Sequence, residues 1–94
     1  MTEAAFQRQV VDLLKLFGWE VQYAWSSMHS PAGWPDLTVW KAEHGLWFAE
    51  LKSEKGKLSA KQAETIESLR AACQEVYVFR PSDWDRIVGI ARST

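Results

Sequence analysis

The segment 46–52 reads LWFAELK, an apolar run of the length and composition of a buried strand, yet it carries a glutamate. Residues two apart on a strand share a face, so Glu50 projects with Leu46 and Phe48, and Lys52 follows on the same side. That apolar face has to turn toward an interior. An unpaired carboxylate there costs several kcal/mol. The strand therefore belongs to a fold that covers it and to a place where Glu50 meets a positive partner.

A strand of this kind needs neighbours. Upstream, DLTVWK (36–41) is short and apolar, and Glu43-His44-Gly45 is turn-forming, so 36–42 and 46–52 read as a hairpin. In that pairing Asp36, which follows Pro35, and Lys52 fall at the same open end, and Asp36, Glu50 and Lys52 converge on one patch. Before the hairpin, Phe6, Val10, Leu13, Leu14 and Phe17 recur at helical spacing, with Thr2 as a cap and Gly18 as a stop. WEVQYAW (19–25) alternates as a strand, and 26–35 is a loop rich in Ser, Pro and Gly. After the hairpin, Ser59 caps a second helix with Ala63, Ile66, Leu69 and Cys73 on its inner face. EVYVFR (75–80) forms a fourth strand. Ser82 and Asp85 cap a last short helix through Trp84, Ile87 and Val88. The order α-β-β-β-α-β-α implies an α/β fold, a mixed sheet flanked by helices. At 94 residues the chain is expected to form a single domain over 1–94.

The acids admit two readings. Glu50 and Lys52 can be a plain ion pair at a sheet edge. Alternatively, two carboxylates and a strand carbonyl suit Mg²⁺ or Mn²⁺, hard cations that also bind phosphate oxygens. One cysteine and two histidines fifteen residues apart leave nothing for a thiolate or imidazole metal site. Glu3 shares a helical face with Phe6 and Val10 and leans toward the core side, as a third site acid or as a helix-start carboxylate favoured by the macrodipole. Gln62 completes a Ser59-x-x-Gln62 capping box, and the other reading has it reach a metal-bound water or a phosphate. His29 and Ser30 lie in the loop before Pro35, where a histidine can touch a phosphate or simply stand in solvent. Cys73 reads as a small buried residue rather than a nucleophile, with no activating neighbour.

Net charge is −1, but its distribution is uneven. Residues 52–61 hold Lys52, Lys55, Lys57 and Lys61 against Glu54 alone, a local basic patch that serves as a solvated loop or as a surface for a polyanion. No apolar run approaches the length of a membrane span, and the N-terminus lacks a secretory pattern. A cytoplasmic protein is the expectation.

Three blocks, GWPDLTVW, WFAELKSEKGKLSAKQ and EVYVFRPSDWDRI, in this order and spacing, resemble the virus-type replication-repair nuclease (VRR-NUC) domain of the PD-(D/E)XK nuclease superfamily, from about Glu3 to Ile87. The resemblance implies a restriction-endonuclease-like αβββαβ core, in the stand-alone form of bacteria and phages. It implies Asp36 and Glu50 as metal ligands together with the Leu51 backbone carbonyl. Lys52 is then the catalytic lysine, Glu3 the helix-one acid, which can reach the metal through water, and Gln62 a position near the site. The activity implied is Mg²⁺- or Mn²⁺-dependent endonucleolytic hydrolysis of DNA in replication, repair or recombination. Lys55, Lys57, Lys61 and Arg80 would grip the DNA backbone. A homodimer acting on four-way junctions or other branched DNA is expected, with Trp25, Trp34, Trp40 and Trp47 as candidates for an apolar subunit surface. The alternatives are a non-catalytic DNA-binding module of the same fold and a less selective nicking nuclease. Relatives often carry Gly at the position of Cys73.

Overall fold

In the computed structural model, which describes residues 1–24 and 32–93, the elements run α1 (Glu3–Leu16), β1 (Glu20–Tyr23), β2 (Leu37–Lys41), β3 (Gly45–Leu51), α2 (Ala60–Ala71), β4 (Glu75–Phe79) and α3 (Trp84–Arg92). A single 3₁₀ turn, Pro81–Asp83, leads into α3. The strands form one sheet in the order β1-β2-β3-β4. The first two pairings are antiparallel and β3–β4 is parallel, so α2 is the crossover of a β-α-β unit. The mixed sheet and the element order are those expected from the sequence. Among the described residues no helix is long and apolar enough to cross a membrane.

β3 is central, and Trp47, Phe48, Ala49, Glu50 and Leu51 are all buried. Its two faces feed two cores. On one, Trp47, Ala49 and Leu51 join Leu37, Val39 and Phe79 beneath Phe6, Val10 and Leu14 of α1 and Ile87 and Ala91 of α3. On the other, Phe48, Ile66 and Val76 make a smaller cluster with Trp34, Leu58 and Leu69 packed against it. Glu50 is on this second, thinner side.

The local signals behave as their chemistry requires. Thr2 Oγ1 accepts from Ala5 N at 3.0 Å and opens α1. Gly18 adopts φ +89°, and Gly18 and Trp19 donate to the Lys15 and Leu14 carbonyls, both at 3.0 Å, closing α1 with a Schellman turn. Trp19 then points into the core and donates from Nε1 to Ala91 O at 3.0 Å. It precedes the first strand, which starts at Glu20 rather than Trp19 because the helix stop consumes that residue.

Other expectations need correction. Cys73 is exposed, not buried. It holds φ +65° and forms the same kind of helix stop at the end of α2, donating to Arg70 O at 3.0 Å. Only Ile66 is buried on α2, with Leu69 half-buried and Ala63 exposed, because the helix covers only part of its sheet face. Ser82 does not cap α3. Its amide donates to Glu54 Oε2 at 2.9 Å, while Asp83 Oδ2 accepts from Arg80 N at 2.8 Å. The proposed apolar subunit surface is also reduced. Trp47 is in the core, Trp34 is half-buried edge-on against Phe48, and Trp40 alone of the three is exposed. Trp25, His29 and Ser30 lie outside the described residues.

Candidate active site

The β2–β3 register carries the site. Leu37 pairs with Ala49, and one step further along the antiparallel ladder places Asp36 opposite Glu50. Both then face the α2 side, as the alternation along β3 requires. Asp36 Oδ2 accepts from Leu51 N at 2.8 Å, so the carboxylate extends the ladder just ahead of the first residue of β2. Lys52 continues the parallel ladder through its amide, which donates to Phe79 O at 3.0 Å. Its ammonium lies 3.8 Å from Glu50 Oε2.

Glu50 is the only buried charged residue among those described, at 2% exposure. Its Oε2 accepts from Gln62 Nε2 at 2.8 Å and faces Lys52. Its Oε1 is buried with no hydrogen-bond partner. Burial first, and the Asp36 carboxylate second, push the Glu50 carboxyl from 4.5 up to about 8. The Lys52 ammonium pulls the other way. Two acids share a low-dielectric spot that holds one ammonium.

Gln62 forms the capping box and also reaches Glu50. Its Oε1 accepts from Ser59 N at 2.8 Å and its backbone amide donates to Ser59 Oγ at 3.1 Å, a complete capping box. The other end of the same amide is what holds Glu50. Glu3 behaves differently from expectation. It is exposed in the first turn of α1. Among the described residues no three of His, Cys, Asp and Glu come together as a metal-binding group. The assembled centre is thus Asp36, Glu50, Lys52 and Gln62.

Lys55 and Lys57 are exposed in the loop after β3, and Lys61 lies 3.7 Å from Glu64 on the exposed face of α2. Arg80 is half-buried and donates from Nη2 to Gly56 O at 2.7 Å. With Glu54 fastened to Ser82, it anchors the lysine-bearing loop to the start of α3. That fastening was not legible beforehand, since it joins residues twenty-four and more apart without a local motif.

A family model described as the VRR-NUC domain matches residues 1–83. The chain belongs to the VRR-NUC family. A solved structure titled VRR-NUC domain superposes on it with a TM-score of 0.78 at 25% identity, covering 93% of this chain and 94% of that one. Archaeoglobus fulgidus Hjc, a Holliday junction resolvase from an archaeal hyperthermophile, superposes with a TM-score of 0.60 at 25% identity, over 82% of this chain and 67% of that one. No curated protein sequence matches the chain. The VRR-NUC assignment makes this a fold of the nuclease superfamily, and the Asp36–Glu50–Lys52 group lies where its blocks GWPDLTVW and WFAELK meet.

Proposed function

We propose that this VRR-NUC domain is a metal-dependent endonuclease that hydrolyses phosphodiester bonds in DNA, with Asp36, Glu50, Lys52 and Gln62 as its working residues. The observation that carries the proposal is the unpartnered, buried Oε1 of Glu50 beside a second carboxylate. An anionic oxygen in that position needs a proton or a cation, and a buried carboxylate oxygen left without a hydrogen bond points to function. The donor set suits Mg²⁺ or Mn²⁺, which bind through one or two carboxylates and retain waters. Asp36, Glu50 and the Leu51 carbonyl would hold the ion. Such an ion, when bound, polarises a phosphate oxygen and lowers the pKa of water.

The chain's own groups supply the rest. Gln62 fixes the orientation of Glu50 through Oε2 and leaves Oε1 for the ion. Asp36 is held in place by the Leu51 amide. Lys52, largely screened from solvent, stabilises charge that develops on the phosphate and donates to a water placed for attack. Lys55, Lys57 and Lys61 contact the backbone of the DNA without reading bases. Arg80 serves this surface by holding Gly56. Glu3 remains a candidate for contact through water.

We further propose a homodimer acting on branched DNA in the cytoplasm. One such centre cuts one strand, and a two-fold pair matches the symmetry of a four-way junction. The likeness to a Holliday junction resolvase supports this preference. The test is a panel of labelled junctions, flaps and linear duplexes with Mg²⁺, Mn²⁺ or chelator, run beside Asp36→Ala. Metal-dependent cutting that Asp36→Ala abolishes is expected, with junctions preferred. Binding without cutting would replace the nuclease by a DNA-binding module. Equal cutting of all substrates would leave a nuclease but remove the junction preference.

A further inference from the structure

A groove of about 290 Å³ opens between the Trp34 segment and α2, lined by none of the centre's own residues but by chain neighbours of two of them, and near the lower end of the usual range for small-ligand pockets. Trp34 and Leu69 give it apolar lining, Thr65 and Ser68 bring hydroxyl groups, and Lys61 and Glu64 contribute a charged pair. Two connections tie it to the centre. Trp34 is two residues before Asp36, and Lys61 directly precedes Gln62, which holds Glu50. The two walls are also locked together. Gly33 takes φ +83°, and a Cβ there would lie 2.4 Å from Lys61 O, so only glycine permits this approach.

We propose that this groove receives an unpaired nucleobase from the nucleotide next to the scissile phosphate, stacked on Trp34, and that the enzyme therefore selects DNA in which this nucleotide is already unstacked. The inference rests on the nuclease reading and specifies its substrate. A phosphate held at the centre keeps its neighbouring nucleotide within reach of a wall two residues away. An indole offers a stacking surface for any base, while hydroxyls and a Lys–Glu pair offer donors and acceptors without demanding one base edge. A stacked duplex would have to give up a base to fill the groove, whereas a junction, flap or frayed end offers one with less unstacking.

The experiment reads binding apart from cutting. Oligonucleotides carrying 2-aminopurine, unpaired or in perfect duplex, are titrated in chelator, and their quenching is followed. The unpaired probe is expected to quench on the parent and on Trp34→Phe. With Trp34→Ala, its affinity should fall by about tenfold or more. Because Trp34 also packs on Phe48, Ser68→Trp provides a second arm, filling the groove from the exposed face of α2. It should lose the preference for unpaired DNA while retaining metal-dependent cutting of duplex. Equal quenching in parent, Trp34→Ala and Ser68→Trp would overturn the inference even if cutting is intact. Absence of cutting on every substrate, with quenching preserved, would overturn the nuclease reading and leave the base site standing.

Discussion

Replacing Glu50 by Gln should make the metal-free protein more stable at alkaline pH while abolishing its activity. In the unfolded chain this carboxyl titrates near 4.5; in the folded protein it is pushed up to about 8. Between those values the folded state holds a proton that the unfolded state has released. The folded state therefore binds more protons, and stability must fall as pH rises through this window, levelling off above about 8. At about 1.36 kcal/mol per pH unit, the full loss is at most about 5 kcal/mol, and a few kcal/mol after local relaxation. Glutamine cannot ionise and keeps an oxygen for the Gln62 amide, so Glu50→Gln escapes this loss. Parent and variant should melt within a few degrees of each other near pH 5. By about pH 8.5 the variant should melt higher by on the order of 10 °C, since 1 kcal/mol moves a domain of this size by about 4–8 °C. Thermal unfolding in chelator across this range is the measurement. A gap that fails to widen with pH, or a variant less stable at pH 8.5, would refute the argument that burial and Asp36 strain the Glu50 charge.

Three further outcomes follow from separate features. Millimolar Mn²⁺ should raise the melting temperature of the parent by mass action and leave Asp36→Ala unmoved, read by the same unfolding assay. Cys73→Gly should stabilise the protein by about 0.5–1 kcal/mol, because Cys73 sits at φ +65° in a helix stop that glycine adopts freely; denaturant midpoints with and without the change will show it. Gly33→Ala should destabilise by about 2–3 kcal/mol and reduce cutting, since the added carbon would meet the Lys61 carbonyl beside Gln62; circular dichroism melts and nicking rates measure both.

Much of the fold was legible because its signals are local. A Thr2 cap, a Gly18 stop, a Ser59–Gln62 box and an alternating hairpin each specify their own element. The Asp36–Glu50–Lys52 grouping was legible too, because strand alternation and hairpin register are arithmetic. What escaped depended on distance. Whether Cys73 is buried depends on how far α2 extends over the sheet, and its sequence shows only a weak apolar face. Glu3 shares a helical stripe with Phe6, but the first turn of α1 overhangs the core and leaves it in solvent. Trp47 looked like interface material until α1 and α3 closed over its face of β3. Arg80 looked like a phosphate contact, and its tie to Gly56 could be seen only once β4 lay beside the lysine loop.

The amide of Gln62 ends one helix's loose backbone with its oxygen and steadies an acid with its nitrogen. On the proposed function, a single side chain thus answers to folding and to chemistry together. Changes there are exposed to selection on two counts, and this position offers few routes by which the protein could drift into a well-folded but idle form.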